Sequence, residues 1–164
     1  MKPPRQPRVL ARFRKADEGA ALVEFGLLLP VLLLFLALSI EGGRTFVAYQ
    51  TAIAGVRDAS RYLSRAMPAN ACDTGASTAE WDEKLKDIVS LSQDGESAFS
   101  PTVSIGDVTS ALVCTSGDYR GGAAPIATIT AELEISLPFS AIFSSSSKTA
   151  ISTFVRDSTR IIGS

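Results

Sequence analysis

Apolar positions along this chain follow three different rhythms. Between Ala20 and Ile40 they are almost continuous, and Glu24 is the one charged residue in the run. Between Thr45 and Met67 they recur every three or four residues, the spacing of a helix with one buried face. Beyond residue 100 they alternate with polar residues, which predicts half-buried strands. The expected fold class is therefore α+β. A long N-terminal helix, first membrane-spanning and then amphipathic, would pack on a small antiparallel sheet.

The 21 residues from Ala20 to Ile40 would reach about 31 Å as a helix, enough for a hydrocarbon core of about 30 Å. A cleaved secretory signal is the competing reading, with Ala37-Leu38-Ser39 as a weak processing site. Glu24 within the apolar run, and helical pattern continuing directly after Ser39, favour an anchor that is kept. Pro30 removes one helical hydrogen bond and should kink the span. At its outer end, Glu41-Gly42-Gly43-Arg44 forms a candidate hinge, since each glycine weakens a helix by about 1 kcal/mol relative to alanine. Glu41 and Arg44 lie one turn apart and could pair.

In the amphipathic helix, Phe46, Tyr49, Ile53, Val56, Leu63 and Met67 form the expected buried stripe, broken at Ser60. Ala48, Ala52, Gly55, Ala59 and Ala66 make an adjoining stripe of small residues. That face suits packing on the chain's own C-terminal region or on another subunit. Arg57, Arg61 and Arg65 form a basic ridge beside Asp58, which reads as a solvated face or as a dock for an acidic partner. Pro68 stops the helix. A second helix is expected from Ser77 or Thr78 to Ser92, with Ser77 and Glu80 spaced as a capping box and Asp94-Gly95 closing it. Strands are expected around Val103–Ile105, at Ala111–Cys114, at residues 126–137 and at about Thr149–Asp157. In the third of these, Ile129, Ala131, Leu133, Ile135 and Leu137 point to one side. The connections suit a hairpin or meander.

Charge adds topology to this picture. Residues 1–19 hold six basic and two acidic residues, net +4, whereas the remainder holds ten basic and fifteen acidic, net −5. A basic head before an apolar span stays in the cytoplasm, which puts the acidic body outside the inner membrane. Four domains follow: a leader (1–19), with its first 13 residues disordered, a transmembrane helix (20–41), a periplasmic amphipathic helix (42–67) and a periplasmic α+β domain (68–164). In an oxidising periplasm Cys72 and Cys114 read as a disulfide. No histidine is present, and two cysteines make no zinc site. Ser144–Ser147 reads as a loop without a base beside it. Asp107 and Asp118 read as ordinary loop acids. No catalytic residue, metal, cofactor, nucleic acid or small-molecule substrate is indicated.

From Glu18 to Tyr62 the residues closely resemble the start of TadE-like proteins of the tight-adherence (Flp) pilus system. The resemblance rests on Gly19, on Glu24 and Phe25 five and six residues later, and on Glu41-Gly42-Gly43-Arg44. Val56-Arg57-Asp58-Ala59-Ser60-Arg61-Tyr62 is similar to a further family stretch, from which Asp58 and Ser60 depart. It implies a pilin-like pseudopilin or minor pilin, cut by a prepilin peptidase between Gly19 and Ala20, with Glu24 and Phe25 acting in recognition and assembly. Its implied partners are that peptidase, other Tad pilins and pseudopilins, the inner-membrane pilus platform and membrane lipid. The implied outcome is surface adherence, with the protein in the inner membrane or carried into the pilus. The alternative function is an unprocessed single-pass envelope protein with a periplasmic binding domain.

Overall fold

A computed structural model describes residues 18–117, 123–139 and 150–163. Most of the leader, Asp118, Ser144–Ser147 and Thr149 therefore lie outside the described residues. The elements in order are helix α1 (Glu18–Ala66), a short helix α2 (Ala71–Thr74), a 3₁₀ turn (Ala79–Trp81), helix α3 (Asp82–Ser90), and strands β1 (Val103–Thr115), β2 (Ala124–Ser136) and β3 (Ala150–Arg160). The architecture is α+β, as the periodicities require. α1 is helical throughout, including Pro30 and the two glycines at 42 and 43.

The chain divides into two compact units, Met1–Ile40 and Glu41–Ser164. In the first, the apolar side chains of α1 are exposed all round, from Leu22 at 75% and Phe35 at 71% to Leu29 at 39%. A helix apolar on every side and buried against nothing is built for lipid, not for water. Ser39, the polar residue near the end of this stretch, donates its hydroxyl to the Phe35 carbonyl at 2.8 Å, which leaves no bare donor for the hydrocarbon to meet.

In the second unit the three strands form an antiparallel meander in the order β1-β2-β3. β2 is central, and its alternation is the clearest in the chain: Ala127, Ile129, Ala131, Leu133 and Ile135 are buried while their neighbours are not. These side chains share one core with Ala52, Val56, Ala59 and Leu63 of α1, Met67 just past it, Leu85 and Val89 of α3, Val108 of β1, and Val155 and Ile161 at and beyond β3. Val103–Ile105 and Ala111–Cys114 belong to one strand, not two. The register shifts between Ile105 and Val108, where Gly106 makes room for the Glu132 side chain. That bulge hides the period of two from a reading of spacing alone.

Two expectations for the helices change. Phe46 and Tyr49 face outward, at 62% and 39% exposure, and the buried stripe runs through Ala48, Ala52, Val56, Ala59, Leu63 and Met67 instead. The reason is angular: ten residues separate Phe46 from Val56, which puts Phe46 roughly 80° off that stripe. Alanines thus alternate with Val56, Leu63 and Met67 on the buried face. The capping box does not form. Ser77 Oγ accepts from the Ala79 N–H at 3.2 Å and not from Glu80. Thr78 makes no cap bond, because its hydroxyl donates to the Ser110 carbonyl at 3.0 Å, and the expected single helix is split into a 3₁₀ turn and α3. Helix α3 ends at Ser90, two residues early, and Gly95 makes the following turn at φ +80.

Ser60, which interrupts the apolar stripe, is buried, and its hydroxyl lies 2.5 Å from an Asp157 carboxylate oxygen on β3. One turn later the Ser64 carbonyl accepts from the backbone N–H groups of Ile162 and Gly163. Polar bonds thus fix α1 against β3 and the residues after it.

Gly55 shows how tightly α1 meets α3. A Cβ there would stand 2.9 Å from the Val89 carbonyl oxygen and 3.1 Å from its Cα, both backbone atoms that cannot rotate away. Gly55→Ala should therefore destabilise the second unit by about 1–3 kcal/mol, despite a helix-propensity gain of about 1 kcal/mol. Urea unfolding of the full chain in detergent, followed by tryptophan emission from Trp81, measures this.

Candidate functional site

The residues singled out by sequence lie at three places along the chain. The first is the opening of α1. Gly19 and Ala20 are already helical and exposed. A Cβ at Gly19 would meet nothing within 4 Å, so packing does not require glycine there. What glycine supplies is ease of unwinding: it costs about 1 kcal/mol less than alanine to take out of a helix. A protease that binds extended backbone benefits from that weakness.

Glu24 follows, one helical turn after Ala20, and its side chain is exposed. Among the described residues it has no hydrogen-bond or ion-pair partner. Phe25, at 58% exposure, is its neighbour on the same open surface. A carboxylate on a lipid-facing helix costs a few kcal/mol unless it reaches the interface or finds a cation.

The second place is Glu41-Gly42-Gly43-Arg44. Glu41 and Arg44 do not pair with each other. The Arg44 Nη2 donates to Thr102 Oγ1 at 2.8 Å, and the Phe139 backbone N–H donates to Glu41 Oε1 at 3.1 Å. Thr102 immediately precedes β1 and Phe139 lies just past β2. Both charges therefore tie α1 to the same end of the sheet. Spacing within one helix could reveal only the local pair. The partners are 58 and 98 residues away, and no sequence signal marks Thr102 or Phe139. A Cβ at Gly42 or Gly43 would meet nothing within 4 Å, so packing does not require glycine at either.

The third place is the disulfide. Cys72 of α2 and Cys114 of β1 are bonded, with Cα atoms 5.7 Å apart and a sequence separation of 42. The bridge ties the polar segment after α1 to the far end of the first hairpin, where Cys114 pairs with Pro125. Among the described residues no group of histidine, cysteine, aspartate or glutamate is arranged to hold a metal. Asp107 lies exposed in the β1 bulge and Asp82 accepts a hydrogen bond from Ser110, so neither marks a reaction centre.

An α+β domain that begins on a helix long and apolar enough to cross a membrane, the one such helix among the described residues, is the class these features define. A family model described as TadE-like protein matches residues 19–61. The match begins at Gly19, takes in Glu24, Phe25 and Glu41–Arg44, and ends on the helix that carries Arg57 and Arg61. The matched stretch is about a quarter of the chain, and over it the chain is similar to TadE-like proteins. A search of the curated proteins and of the solved structures finds no match.

Closing a loop of this size stabilises by roughly 3–4 kcal/mol on the loop-entropy model. Cys72→Ser should lower the urea midpoint of the full chain in detergent under non-reducing conditions. With excess reductant, variant and parent should unfold together.

Proposed function

We propose that this chain is a pseudopilin, or minor pilin, processed by a prepilin peptidase and needed to assemble a Tad pilus. One observation carries the reading: an exposed, unpartnered Glu24 on an apolar helix, five residues after Gly19, inside the segment that matches TadE-like proteins.

Cutting between Gly19 and Ala20 removes the +4 leader and leaves 164 − 19 = 145 residues. It also creates an amine on Ala20, a cation of the kind Glu24 lacks. Within one chain the two groups are a helical turn apart. Between chains, the Glu24 carboxylate of one subunit would meet the amine of a neighbour at one axial stagger, offsetting part of the cost of holding it in lipid. The charge that is unfavourable in a lone subunit thus becomes a reason to assemble. Phe25 adds an aromatic surface beside it. The positive-inside rule supports a cytoplasmic leader and a periplasmic Glu41–Ser164 unit, and the disulfide supports the same side. Adherence would follow from the pilus, not from chemistry performed by this chain.

Co-expression with a cognate prepilin peptidase, followed by the intact mass of the membrane-extracted product, tests the reading. The expected product begins at Ala20. A full-length product in the presence of active peptidase would leave an unprocessed single-pass envelope protein as the better account. Gly19→Arg should insert normally and stay full length. Glu24→Ala should be processed and inserted, yet fail to restore piliation to a strain lacking the protein. Wild-type pilus numbers from that variant would remove the assembly role of the carboxylate.

A further inference from the structure

The back of α1 between Arg57 and Arg65 is open except where Trp81 meets Tyr62. Arg57, Arg61 and Arg65 recur every fourth residue and all three are exposed. Asp58 stands among them, held by Arg61 at 3.3 Å in the only ion pair among the described residues. Arg61 and Arg65, with Tyr62 and Ala66, line an open hollow of about 350 Å³. Trp81 meets the Tyr62 ring edge-on at 6.0 Å and gives that hollow a firm wall. Two guanidinium forks beside a fixed aromatic ring suit carboxylate or phosphate oxygens.

Two surfaces could present such oxygens: lipid headgroups and an acidic protein face. Distance separates them. With the membrane ending near Glu41, Arg57 lies 16 residues further on, about 24 Å along the helix, and Arg65 about 36 Å. Screening at physiological salt acts over about 8 Å, so headgroup charge does not reach the ridge. A protein surface remains.

The chain itself carries a matching one. Glu80, Glu83 and Asp87, on the 3₁₀ turn and α3, are exposed and spaced three and four residues apart, which puts about one acid on each turn. The arginine ridge has the same repeat, one cation per turn. None of the three acids forms an ion pair among the described residues. Exposed Lys84 and Lys86 accompany the acids, so a ridge that slid out of register would meet like charge.

We propose that the Arg57-Arg61-Arg65 ridge of one copy docks on the Glu80-Glu83-Asp87 row of a second copy. The proposal rests on the assembly reading for the reason copies meet, and it names the extramembrane surfaces by which they do. Ridge and row lie side by side through the Tyr62–Trp81 contact, so two copies related by a two-fold axis make both contacts at once.

Charge swapping tests this on the full chain in detergent, without any peptidase, so its outcome is independent of processing. Self-association would be measured by analytical ultracentrifugation at low and high salt. The parent should self-associate at low salt and weaken at least tenfold, on the order of three exposed ion pairs. The triple variant R57E/R61E/R65E and the triple variant E80K/E83K/D87K should each lose that salt-sensitive association. An equimolar mixture of the two, or one chain carrying all six changes, should regain it. The neutral variant R57Q/R61Q/R65Q, checked for the parent's thermal unfolding, replaces the reversed ridge should that chain not fold, and it should also lose association. Parent-like association in the ridge variants, failure of the swapped pair to associate, or a monomeric parent at low salt would overturn the proposal.

Discussion

One helix must satisfy two solvents, and most of the chain's design follows from that requirement. Up to Ile40, α1 exposes apolar side chains in every direction, which is favourable only where no water competes. From Glu41 onward the same helix has to bury one face and wet the other. It changes character at a pair of charges, and those charges are used twice. They end the apolar run, and they bind the helix to the sheet through Thr102 and Phe139. Charged groups bonded to neutral donors and acceptors at a surface avoid the heavy desolvation that a buried ion pair would bring.

Beyond that point the helix is held by one buried face. Gly55 brings its backbone against Val89 of α3, while Ala52, Val56, Ala59, Leu63 and, just past the helix, Met67 pack into the shared core. Close approach also leaves the back of the helix free of core duties. The arginines there are exposed, while Tyr62 packs edge-on against Trp81.

The elements with an uninterrupted period were legible in the sequence. β2 alternates strictly, and its inward side chains are the ones its spacing indicates. The apolar run and the amphipathic helix were equally plain, and so was the cysteine pair. What escaped depended on contacts far along the chain. Phe46 and Tyr49 look like core residues on a 3/4 count, and only the position of the sheet shows that alanines occupy that face. Gly106 conceals a single strand as two. The hydroxyl of Thr78 could have capped a helix, and a bond to Ser110 takes it instead. For the candidate site, Gly19, Glu24 and Phe25 were proposed from local spacing in and before an apolar run. Thr102 and Phe139 were not, because nothing local distinguishes them.

The bond between Ser60 and Asp157, 97 residues apart, has a consequence for timing. Helix α1 can form as it is made, but the strand that receives its buried face is made much later. At ribosomal rates of 5–20 residues per second, that interval is roughly 5–20 s. Throughout it, the apolar first half of α1 is complete, whereas the Glu41–Ser164 unit cannot yet close. The order of manufacture thus presents the apolar helix before the fold that follows it exists.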